Sequence, residues 1–155
     1  MGNYLIIIDT ATQPNENTKY GESSAAWIIY IGNTVINAGI QYFIHHGPNK
    51  VVYEGILGAL NQLEHEHFHS SGTDNVKIVC DCKVVIDQIN HKCVSEKMKS
   101  YQRSIESFCL RHKNVKFSFC YESDREQYYK IVHMLSKDGK SWLKNWLKKN
   151  NKSLK

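Results

Sequence analysis

No apolar run in the 155 residues approaches the roughly 20 needed to cross a bilayer, so a membrane-spanning helix is not expected. The N-terminus enters a strand-like segment directly, without the pattern of a secretory signal. Although the chain opens Met1-Gly2, Ile6 stands where a myristoylation motif wants Ser or Thr. Five cysteines (Cys80, Cys82, Cys93, Cys109 and Cys120) are an odd number without a close zinc-type pairing, which points to reduced thiols in an intracellular protein of cytoplasm or nucleus. Acids are missing from residues 139–155, which carry six lysines; the remaining residues therefore hold a net charge of −1 against +5 for the whole chain. The body is nearly neutral, and attraction to nucleic acid through charge falls to the tail and one local cluster. With 41% hydrophobic residues, the length suits one domain with one core.

Against these absences, two stretches share a design. In VKIVCDCKVVIDQIN, Val76, Ile78, Val79 and Cys80 read as a buried strand, Asp81 ends it, and Val84, Val85 and Ile89 recur at helical spacing. Asp81 is open to two readings: a helix N-cap, or a carboxylate at the strand edge where ligands of open α/β sheets sit. At the N-terminus the apolar run from Tyr4 through Ile8 also ends in an aspartate, Asp9. Two central strands ending in Asp at one sheet edge form a cation site with the oxygen ligands that hard divalent ions want. Cys80 and Cys82, flanking Asp81, read as buried thiols or as soft-metal ligands.

In chain order, residues 13–18 form a polar turn with Pro14. Residues 24–30 read as a strand carrying Trp27, and Gly32-Asn33 is a hairpin signal leading to strands over 34–38 and 41–44. After a loop over 45–49, Val52, Ile56, Leu60 and Leu63 keep helical spacing. The tract EHEHFHSSG (64–72) is a solvated loop or a weak transition-metal site. Helices are expected over 94–111 and 128–135, with a strand over 115–121 between them. The order βββ-α-β-α-β-α describes an α/β fold, a mixed five-stranded sheet with helices on both faces.

This succession resembles the ribonuclease H type I domain over residues 4–136. Asp9 looks like the family's first catalytic aspartate, with Thr10 where glycine usually follows. Asn49, ahead of Tyr53-Glu54-Gly55-Ile56-Leu57, is similar to the asparagine that contacts substrate. The segment from Asp81 to Gln88-Ile89-Asn90 is the most specific match. The resemblance implies a ribonuclease H-like domain over residues 1–138 and cleavage of the RNA strand of RNA-DNA hybrids by two divalent ions held on four carboxylates. Such ions lie roughly 4 Å apart and repel, so several anionic ligands are needed.

The resemblance departs from the family at two ligands. Aligned on Asn49, the catalytic glutamate falls on Val52, and Glu54 two positions on is rotated about 200° around the helix. The last aspartate falls on His133, which is either a ligand better suited to Mn²⁺ than Mg²⁺ or a surface residue. The expected metal set is Asp9, Asp81 and His133, with Glu54 as a rescue that needs an irregular helix start. At most one divalent cation, Mg²⁺ or Mn²⁺, is then held, or none. Lys92, Lys97, Lys99, Tyr101 and Arg103 form a basic strip that reads as a DNA-strand contact or as a solvated helix face. Residues 139–155 form a basic tail in which Trp142 and Trp146, four residues apart, dock on the body or meet a protein partner. The function expected is a degenerate ribonuclease H-like domain, a pseudoenzyme that binds nucleic acid or supports a larger complex. The alternatives are an active, Mn²⁺-dependent hydrolase with displaced ligands and a protein-interaction module.

Overall fold

The computed structural model describes residues 2–14, 20–44, 46–66, 74–122 and Lys137. Three long strands come first: β1 (Asn3–Pro14), β2 (Tyr20–Ile31) and β3 (Thr34–Ile44). β2 turns into β3 at Gly32-Asn33, where Gly32 has φ +57, a left-handed conformation that costs glycine nothing. The two short strands expected after this hairpin are one continuous strand.

α1 (Pro48–Glu66) begins with proline at its first position, where a missing N–H is harmless. It buries the predicted stripe of Val52, Ile56, Leu60 and Leu63, together with Val51, Tyr53 and Ala59. β4 (Asn75–Cys80), α2 (Lys83–Ile89), α3 (Lys99–Arg111) and β5 (Lys116–Tyr121) follow. The sheet order is β3-β2-β1-β4-β5; β1 pairs antiparallel with β2 and parallel with β4, and β4 pairs parallel with β5. This is the mixed five-stranded sheet that the sequence pattern predicts.

Two helices separate β4 from β5, and the second starts five residues later than the pattern predicts. α2 is closed by a left-handed cap: His91 takes φ 61, its N–H donates to the Gln88 carbonyl, and the Lys92 N–H donates to that of Asp87. The chain must then turn before α3 can begin, which leaves Val94 82% exposed instead of on a helix face. The helix expected over 128–135 falls outside the described residues.

The three described helices share one face of the sheet. There Ile6, Ile8, Ile29 and Ile78 meet Tyr53, Ile56, Leu60, Val85, Ile105 and Phe108. The opposite face carries a second buried cluster of Ile7, Ala26, Ile28 and Val79. Trp27 fixes α1 on the sheet. A Cβ built on Gly39 would lie 2.3 Å from its ring, and one on Gly58 would lie 2.8 Å away, so the indole fits only between two glycines. Its Nε1 donates to Gln62 Oε1 at 2.7 Å, and Gln62 in turn donates to Asn37 Oδ1 at 3.0 Å.

Candidate functional site

The parallel register of β1 and β4 builds the site. Ile8 pairs with Cys80, the last residue of β4; β1 does not end in Asp9 as expected but runs on beside β2 to Pro14, so Asp9 lies within β1 where the parallel ladder stops and Asp81 follows just beyond β4 at that same end. Neighbouring strands lie about 4.8 Å apart. Alternation along β1 puts Asp9 on the face of Ile7 and of its antiparallel partner Ala26. Asp9 is 3% exposed and accepts the Thr10 N–H at 2.9 Å, whereas Asp81 is exposed.

Of the two positions at the start of α2, Cys82 and not Asp81 is the N-cap. α2 begins at Lys83, and its N-cap is Cys82, in extended backbone (φ −102, ψ 93). Asp81 is thereby left at the strand edge outside the helix. The Cys82 thiol lies 3.7 Å from Asn49 Oδ1, which brings the first turn of α1 to the same edge. Asp9, Asp81, Asn49 and Cys82 thus gather at one end of the sheet.

The thiols there are protonated at neutral pH. Burial pushes Cys80 up to about 12, and the charges of Asp81 and Asp9 act in the same direction. Burial likewise raises Cys82.

Other predicted site residues lie elsewhere. Val52 is 4% exposed within the α1 core. Glu54 accepts the Tyr101 hydroxyl at 2.7 Å, between α1 and α3. Tyr101 also stacks on Tyr53, with ring centroids 5.4 Å apart, and is half-buried between α1 and α3. Lys92, Lys97 and Lys99 are exposed, and Lys99 pairs with Glu96 at 3.5 Å. Arg103, one turn beyond Lys99 on α3, also lines a groove between α1 and α3. His133, Trp142 and Trp146 lie outside the described residues, as do residues 67–72 of the histidine-rich tract. Among the described residues no three His, Cys, Asp or Glu side chains are grouped to hold a metal ion.

Gln88 and Asn90 of the most specific segment have structural work. Gln88, 5% exposed, accepts the Tyr53 hydroxyl at 2.7 Å, and Asn90 Nδ2 donates to the Phe119 carbonyl at 3.0 Å. They lock α2 to α1 and to β5.

No family model matches the sequence, and no curated protein matches it either. Solved structures do. RNase H1 from the halophilic archaeon Halobacterium salinarum NRC-1 superposes with a TM-score of 0.72 at 13% identity, covering 88% of this chain and 96% of that one. The chain folds as a distant ribonuclease H-like domain. LC11-RNase H1, in a structure with an RNA/DNA hybrid, matches with a TM-score of 0.65 at 13% identity over 83% of this chain and 92% of its own. The foamy viral protease-reverse transcriptase in complex with dsDNA matches with a TM-score of 0.67 at 15% identity, over 88% and 93%. Nucleic-acid complexes therefore stand among the structural neighbours of this ribonuclease H-like chain. None of its described helices is long and apolar enough to cross a membrane.

Proposed function

We propose that this chain is a ribonuclease H-like domain that binds nucleic acid, an RNA-DNA hybrid or a related duplex, or supports a larger complex, with two-metal cleavage lost or weak. The supporting observation is the donor set at the sheet edge. Asp9 and Asp81 each follow the last pair of the β1–β4 ladder, Val52 is buried hydrocarbon, and Glu54 is hydrogen-bonded to Tyr101. Two carboxylates suit one hard cation and do not fit an adjacent pair, whose mutual repulsion demands more anionic ligands. Asp9 and Asp81 would hold such an ion, Mg²⁺ or Mn²⁺, and the charge it supplied would draw a phosphate to the edge. Asn49, which touches Cys82 at the same end of the sheet, would contact the strand, and Lys92, Lys97 and Lys99 would add sequence-independent phosphate affinity.

Incubation of RNA-DNA hybrid with Mg²⁺ and with Mn²⁺, beside an Asp81→Asn control, tests the reading. Hybrid binding that weakens with salt, with no turnover above the control, is the expected result. Cleavage with either ion that disappears in Asp81→Asn would replace it with a working ribonuclease. Failure to bind hybrid, duplex or single strand would leave a protein-interaction module.

A further inference from the structure

A groove of about 480 Å³ runs between α1 and α3, away from the aspartates, and the function proposed above makes no use of it. Arg103, Ser107 and Arg111 line it from α3, and Glu54 and Asn61 line it from α1. The two arginines are eight residues apart, about 12 Å along a helix axis, a span that covers several successive phosphates of one strand.

The donors in this groove have capacity left. Arg111 gives one N–H to Glu64 Oε2 at 3.2 Å and lies over the Phe108 ring at 5.2 Å, which leaves most of the five guanidinium donors. Arg103 makes no ion pair with any described residue. The wall's own acid, Glu54, is engaged by the Tyr101 hydroxyl. The Ser104 hydroxyl is turned back to the Ser100 carbonyl, so Ser107 and Asn61 supply the neutral donors. Gly58 keeps the floor low, since a Cβ there would meet both Trp27 and Gln41.

Paired guanidinium forks with hydroxyl and amide donors between them match a phosphodiester chain. A protein partner wants an apolar anchor pocket at its centre, and the aromatic ring here, Phe108, is 1% exposed. We propose that this groove is a second polynucleotide site that holds the backbone of a single strand while the cleft holds a duplex. The inference rests on the nucleic-acid reading of the cleft, and it moves Arg103 from that cleft to the groove.

The test uses the full chain with fluorescent single-stranded RNA and RNA-DNA hybrid, read by anisotropy across a salt series. Arg103→Glu and Ser107→Glu should each weaken single-strand binding about tenfold, and Arg103→Glu should lower the salt slope by roughly one, while hybrid affinity changes little. Lys97→Glu should show the opposite preference. Photocrosslinking of thiouridine-bearing RNA to wild-type protein, mapped by mass spectrometry, supplies a readout independent of folding and should label residues 103–111. Crosslinks confined to residues 92–99, or single-strand affinity unchanged in both groove variants, overturn the groove and leave the cleft reading standing. Wild-type protein that binds neither probe overturns both.

Discussion

The Tyr101 hydroxyl donates a 2.7 Å hydrogen bond to Glu54 Oε1, and this commits the acid nearest Val52 in sequence to the interface between α1 and α3. Glu54 is two positions from Val52, and the helix rotates it towards α3 and a tyrosine able to satisfy it. A rescue of the missing ligand would have to break that bond first.

The same pair makes the fold sensitive to alkali. Burial and then Glu54 push Tyr101 up to about 12; burial pushes Tyr53 and Cys80 to about 12 as well, from ordinary values of 10, 10 and 9. The unfolded chain therefore loses protons at lower pH than the folded one. Stability is fully present below about pH 9 and declines as the pH rises towards about 12. Thermal melts across this range should show the decline. Tyr101→Phe should flatten its upper part and cost about 1 to 2 kcal/mol at neutral pH, because Glu54 loses a donor. Parallel profiles for variant and wild type would contradict the assignment.

At the other end of α3 the sign reverses. The hydrogen bond from His112 lowers Glu64, with Arg111 adding to it against the opposing effect of burial. A depressed carboxylate contributes stability above its unfolded value of 4.5 and loses it as the pH falls through the folded value. Glu64→Gln should melt below wild type at neutral pH, and the two should converge under acid. A constant gap at every pH would mean that the pairing contributes nothing.

Trp27 should be intolerant of any side chain at its glycine neighbours. Gly39→Ala places a methyl group 2.3 Å from the indole, between paired strands that cannot move apart, and should cost about 1 to 3 kcal/mol by denaturant unfolding. Gly58→Ala gains helix propensity of about 1 kcal/mol yet meets the same ring at 2.8 Å, so its net effect should be smaller. In a Trp27→Leu background the Gly39→Ala cost should shrink; a cost that persisted in full would place the strain in the backbone.

The fold was legible because its signals are local. Apolar runs ending in Asp9 and Asp81, the Gly32-Asn33 hairpin and the stripe of α1 all follow from periods of two and 3.6 residues. The start of α3 was not legible, since it depends on His91 adopting a left-handed cap that glycine or asparagine usually signals. In the site, the register of β1 on β4 brings the aspartates together, while the orientation of Tyr101 and Arg103 depends on how α3 packs against α1. That angle is a tertiary property. The repeat of Arg103, Ser107 and Arg111 at four-residue intervals was nonetheless present as a polar stripe that could have marked the groove.

Tyr53 and Gln88 provide a test of whether the most specific stretch of the sequence is held for packing. The hydroxyl and the amide are both buried, with Gln88 5% exposed, and they meet at 2.7 Å between α1 and α2. Tyr53→Phe removes the donor and strands the Gln88 carbonyl oxygen in a dry interface, which should cost about 1 to 3 kcal/mol. Gln88→Leu alone should cost less, because the Tyr53 hydroxyl keeps the Gln102 side chain as a partner. The double variant removes both ends of the Tyr53–Gln88 bond, so it should be more stable than the sum of the singles implies, with a coupling of about 1 kcal/mol in a double-mutant cycle. Strict additivity would show that water already satisfies both groups. α2 would then be held on α1 by apolar contact alone, and the position of Asp81 at the sheet edge would not depend on this bond.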